Sequence, residues 1–109
     1  MKLAERIAAC RPAPGNVALY FLGQAGFYLK FSDGRTVCID PYLGDCCETM
    51  FGFKRMIPAP LALEDFQVDL LVSTHSHADH LDPDLVRRLA AGATVFAGSP
   101  DCLALYRAC

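Results

Sequence analysis

A strand-to-helix unit between Val68 and Gly92 sets the frame for the rest of the chain. Val68-Asp69-Leu70-Leu71-Val72-Ser73-Thr74 is a short apolar run, the pattern of a buried strand. Asp82 is a suitable helix N-cap and Pro83 suits the first helical position, where a missing N–H costs nothing. Leu85, Val86 and Leu89 supply an apolar face, Arg87 and Arg88 a polar one, and Gly92 a C-terminal stop. Between strand and helix lies His75-Ser76-His77-Ala78-Asp79-His80, which holds all three histidines of the chain. Open α/β folds place their ligands at such carboxyl ends of strands.

Imidazole nitrogen and carboxylate oxygen are standard ligands for zinc, manganese or iron. Residues i and i+2 of an extended chain face the same side, so His75 and His77 are expected to reach one ion together. Asp79 and His80 lie where the backbone leaves the strand and can turn toward a second ion. Solvated loop histidines are the alternative, and the clustering of every histidine around one aspartate weighs against it. One or two divalent ions are therefore expected, with zinc or manganese ahead of iron.

The remaining order is that of hairpin strands followed by strand–helix units. Met1 to Ile7 reads as a short amphipathic helix and Pro12 to Gly15 as a turn cluster. Val17 to Leu22, Phe27 to Phe31 and Thr36 to Asp40 read as strands, separated by Gly23-Gln24-Ala25-Gly26 and the hairpin-type loop Ser32-Asp33-Gly34-Arg35. Residues 41–67 carry Pro58 and Pro60 and no clear element, so a long functional connection is expected there. Thr94 to Ala97 reads as a further strand, and Ser99-Pro100-Asp101 caps a terminal helix through Tyr106. Such an order fits mixed sheets with helices outside, an α/β class.

His-X-His-X-Asp-His after an apolar strand resembles the signature of the metallo-β-lactamase superfamily of metal-dependent hydrolases. Leu22-Gly23-Gln24-Ala25-Gly26-Phe27, Ile39-Asp40-Pro41-Tyr42-Leu43-Gly44-Asp45 and Phe51-Gly52-Phe53-Lys54-Arg55 are similar to the L-ascorbate-6-phosphate lactonase-like branch. The resemblance runs from about Val17 to Leu85. It implies an αββα sandwich with a one- or two-metal site at one edge of the sheets, of which residues 1–109 form the amino-terminal half of a single domain. In the family the remaining ligands come from downstream, and no histidine follows His80. The 109 residues alone are accordingly expected to be inactive.

By the same resemblance Asp40 sits close to the metal ligands. Accepting a hydrogen bond from a ligand histidine and simple turn capping are equally good readings of it. Lys54 and Arg55 are candidates for gripping a substrate phosphate, against the commoner outcome of a solvated basic pair. Asp79 either ligates a second ion or orients and deprotonates the attacking water, and both roles stay open. A divalent ion lowers the pKa of bound water from about 15.7 toward about 7, and the resulting hydroxide would attack an ester, lactone or phosphodiester centre.

The expected function is a metal-dependent hydrolase, lactonase-like, acting on a small molecule such as a phosphorylated sugar lactone. A phosphodiesterase or phospholipase of the same superfamily is one alternative, because fold similarity does not fix substrate. A non-catalytic binding or assembly module is the other. A net charge of −2 gives no footprint for nucleic acid, and no apolar run approaches the ~18 residues that span a bilayer. Glu5 and Arg6 interrupt any signal-peptide core, so the cytoplasm is the expected compartment. The six cysteines are then expected to be free thiols, with the adjacent Cys46-Cys47 lacking the spacer of common structural zinc sites. Self-association into a homo-oligomer stays open.

Overall fold

The computed structural model describes residues 1–109. Helix α1 (Leu3–Ala9) leads into strands β1 (Val17–Phe21), β2 (Phe27–Phe31) and β3 (Thr36–Ile39). Helix α2 (Cys46–Phe51) and a 3₁₀ turn (Leu63–Asp65) precede β4 (Leu70–Val72), α3 (Pro83–Leu89), β5 (Val95–Ala97) and α4 (Pro100–Ala108). The strands form one sheet in sequence order, antiparallel from β1 to β3 and parallel from β3 to β5. This mixed five-stranded sheet with helices is the α/β class expected.

Strand alternation divides the sheet into two unlike faces. Tyr28, Cys38 and Leu71 lie side by side in register and are buried against Ile7, Phe66, Leu85, Leu89 and Cys102. Lys30 is buried on that same face. Its Nζ donates to the carbonyls of Ile7 (2.8 Å) and Ala8 (3.0 Å), closing the carboxyl end of α1. The opposite face pairs Val17 with Phe31, Leu19 with Leu29 and Phe21 with Phe27, then continues through Val37, Leu70 and Val95. Nothing packs on it, and Leu19, Phe21 and Val95 are each about three-fifths exposed. One helical layer and one sheet are thus present, with the second side of the sheet open.

Several local expectations need correction. Residues 41–67 do hold a helix, α2, closed by Gly52 in the left-handed conformation at φ 78°. Six residues are too few for a helical period to show, although Asp45 and Gly52 frame them. The strand expected over Val68 to Thr74 is shorter, because only Leu70–Val72 pairs with both neighbours. Helix α3 ends at Leu89 with Ala90 as its cap, so Gly92 is not the stop. Ser99 precedes α4, but its hydroxyl contacts the Asp101 carboxylate and Cys102 Sγ rather than a backbone N–H, and α4 runs on to Ala108. All six cysteines are free, with Cys38, Cys46 and Cys102 buried.

Candidate metal centre

The site forms where the connections that follow β3 and β4 meet. Asp40 follows β3 in the left-handed region at φ 51°, a conformation that aspartate tolerates better than most residues. Its N–H still donates to Val72 O (2.9 Å), so the backbone leaves the sheet only after this residue. The turn between β1 and β2 backs it. A Cβ on Gly26 would stand 3.2 Å from both Asp40 O and Pro41 Cα, which explains the glycine in Leu22-Gly23-Gln24-Ala25-Gly26.

The Asp40 carboxylate organises the histidine loop. Thr74 N–H donates to Oδ1 (2.7 Å), Thr74 Oγ1–H to Oδ2 (2.5 Å), and His80 Nδ1–H to Oδ2 (2.9 Å). Burial pushes the Asp40 carboxyl up, but these bonds from Thr74 and His80 outweigh it, and its pKa lies below the usual aspartate value. An ionised Asp40 keeps the His80 proton on Nδ1. Thr74 Oγ1, having given its proton to Asp40, accepts from His75 Nδ1–H (3.1 Å). In neutral rings these two bonds put the proton on Nδ1 and leave the Nε2 lone pair for a metal.

The other residues close in through a tight turn. His80 N–H and Leu81 N–H both donate to His77 O, at 2.9 and 2.8 Å. The His75 ring centroid lies 4.6 Å from that of His77 and 4.0 Å from that of His80. Asp79 Oδ2 is 3.6 Å from His80 Nε2. Ligand bonds of about 2.0–2.1 Å place two donors of one tetrahedral ion roughly 3.4 Å apart, so this pair has the spacing of shared ligands. His75 and His77 lie in the loop beyond β4, which ends at Val72, and the turn folds His80 back toward them. Asp40, His75 and His80 offer ligand atoms within 4.8 Å of one another. Asp40 already accepts three hydrogen bonds, which suits it to support the histidines rather than to bind an ion itself.

Asp82 fixes the loop from below. Its Oδ1 caps α3 through Asp84 N–H (3.0 Å) and Leu85 N–H (3.4 Å), while Oδ2 accepts from Leu43 N–H (2.9 Å) and Gly44 N–H (2.7 Å). The sequence shows only the cap. Arg55 turns part of its guanidinium inward. Its Nη2 donates to Tyr42 O (2.5 Å) and Gly44 O (3.1 Å), its guanidinium lies 4.3 Å from the Tyr42 ring centre, and Nε is buried without a partner. Lys54 is exposed and forms no ion pair. Sequence reasoning missed Thr74, whose only signal is a hydroxyl directly before the first histidine. It also missed Met50, Phe51, Phe53, Met56 and Ile57, which form one wall of a cavity of about 700 Å³ ending at His77 and Asp79.

A sheet topped by a histidine–aspartate loop of this kind defines a class, and the chain belongs to the β-lactamase superfamily: residues 18–104 match the family described as the beta-lactamase superfamily domain. Among curated proteins it is similar to the "Probable L-ascorbate-6-phosphate lactonase UlaG" of Escherichia coli O127:H6, Salmonella paratyphi B and Shigella boydii serotype 18. Identity is 30% over 128 aligned positions in each case, covering 95% of this chain and 36% of the relative. The chain thus spans about a third of the length of these relatives. No helix is long and apolar enough to cross a membrane.

Proposed function

We propose that these residues carry the first metal-binding loop of a metal-dependent hydrolase of lactonase type, and form the amino-terminal part of one domain. The observation that carries the reading is the chain of hydrogen bonds from His80 and from His75 through Thr74 to Asp40, which leaves two Nε2 atoms free beside His77 and Asp79. His75 and His77 hold one divalent ion, zinc or manganese, and Asp79 with His80 faces a second. Such an ion supplies Lewis acidity and acidifies water when bound. Asp40 fixes the orientation and protonation of the rings. Asp79, its carboxylate open on the cavity side, orients the attacking water and takes its proton. The uncovered sheet face supports continuation of the domain, as the surface on which the second sheet of a sandwich packs.

Calorimetric titration with zinc and with manganese tests the site directly. The unaltered chain is expected to bind at least one ion, and His75→Ala and His77→Ala each to abolish or severely weaken binding of the first. Asp79→Asn is expected to retain the first ion. Binding that all three variants leave unchanged would remove the metal centre, and the hydrolase reading with it.

A further inference from the structure

The cavity beside His77 and Asp79 has a chemical character at odds with a highly charged substrate. Its volume, about 700 Å³, lies in the range of small-molecule sites, roughly 300–1,000 Å³. Met50, Phe51, Phe53, Met56 and Ile57 line it, and four of these are between 58% and 71% exposed, with Met56 at 99%. Five large apolar side chains gathered along one wall, with no hydrocarbon against them, amount to an unfilled apolar surface continuous with the histidine loop. Phe51 and Phe53 stand with ring centres 6.2 Å apart, and the two unbranched methionines can reshape around a flexible chain.

Phosphate recognition calls for several converging donors, above all the two-pronged guanidinium. Here Arg55 has spent Nη2 on the Tyr42 and Gly44 carbonyls and buried Nε, which leaves Nη1 as the one end of its guanidinium open to a ligand. The Lys54 head and Arg55 Nη1 are two separate cationic groups at the cavity, short of a converging set of donors.

We propose that this cavity takes the apolar alkyl or acyl arm of a lactone or ester, laid along Met50, Phe51, Phe53, Met56 and Ile57, with the carbonyl end toward His77 and Asp79. The position of the carbonyl rests on the hydrolase reading, whereas the preference for an apolar arm rests on the lining alone. Each further methylene on the arm should tighten binding by about fourfold, the fold-change that corresponds to burying one CH₂.

The chain provides its own reporters, because its three methionines are Met1, Met50 and Met56, two in the cavity and one outside it. With ¹³C-methyl-labelled methionine, γ-hexanolactone, γ-octanolactone and γ-decanolactone are titrated against γ-butyrolactone and glucose 6-phosphate. Saturable shifts of the Met50 and Met56 methyls, strengthening with chain length and absent from Met1, are the expected result. Phe53→Asp, at a largely exposed position, should weaken decanolactone binding at least tenfold while leaving the other methyl signals in place. No saturable shift with decanolactone overturns the proposal, as does an equal response to glucose 6-phosphate or a shift of Met1 as large as that of Met56. A zinc titration of the same sample separates the two readings. Zinc binding without lactone binding leaves the hydrolase and removes the apolar arm. Lactone binding without zinc binding leaves the apolar site and removes the hydrolase.

Discussion

Replacing Asp82 by alanine strips four backbone N–H groups of one acceptor: Leu43 and Gly44 in the connection after β3, and Asp84 and Leu85 at the start of α3. Asp82 is 2% exposed, and the bonds to Leu43 and Gly44 are buried, so water does not replace the lost partner there. An unsatisfied buried donor costs about 1–3 kcal/mol, and loss of an N-cap about 1 kcal/mol. The carboxylate's own desolvation is relieved at the same time, which brings the net loss to about 3 kcal/mol. Urea unfolding followed by circular dichroism reads this directly. With an m-value of about 1–3 kcal/mol/M, the midpoint should fall by roughly 1–3 M. Asp82→Asn separates the two roles. Its carbonyl can keep the α3 cap, but its NH₂ then faces the Leu43 and Gly44 donors, so most of the loss should remain. Arg87→Ala, which breaks the exposed 2.6 Å pair with Asp84, is the control and should change stability by less than ~1 kcal/mol. An Asp82→Ala midpoint within that control's range would refute the claim that one carboxylate ties the loop to the helix.

Thr74→Val breaks the link between His75 and Asp40 without removing a candidate ligand, and zinc affinity measured by calorimetry should fall about 10–100-fold. Gly98→Ala would bring a Cβ to 2.7 Å from Cys102 Cβ and 3.1 Å from Ser73 O, and should cost about 1–3 kcal/mol in thermal or urea unfolding. Burial holds the Cys46 thiol up at about 12 and also raises Cys38, so both stay protonated in the folded chain at pH values where unfolded thiols ionise. Their contribution to stability is complete below about pH 9 and is lost as pH rises toward 12, which urea midpoints measured between pH 8 and 11 should show as a steady decline. A thiol-titrating reagent at pH 8 should react quickly with Cys10, Cys47 and Cys109, and with Cys38, Cys46 and Cys102 only after unfolding.

The meander was legible because each strand is punctuated by its own chemistry. Phe27 to Phe31 alternates cleanly, and Gly34 at φ 90° closes the hairpin after it. The Asp82-Pro83 start of α3 was equally plain, since capping is local and both residues have few other uses at that spacing. The histidine loop was visible as a composition, but its geometry was not. The histidines lie beyond β4 rather than within it, and the turn that folds His80 back depends on His77 O accepting two N–H groups. Asp40 and Thr74 are 34 positions apart, and Asp82 and Leu43 are 39 apart; no local pattern encodes such pairs. The apolar wall from Met50 to Ile57 lacked periodicity, so it read as loop although it leaves five large apolar side chains exposed beside the histidines.

The uncovered face of the sheet has a kinetic consequence. β1 and β5 are the two edges, and the outward row Val17, Leu19, Phe21 on β1 carries no charge or proline to discourage pairing with another molecule. Covering that face from within one molecule is a first-order event whose rate ignores concentration. Sticking to a neighbour is at least second-order, and grows with every increase in how much protein is made. The fate of this surface is therefore a race decided by dosage. Slow, dilute synthesis favours the covered state, and crowded synthesis favours the sticking one.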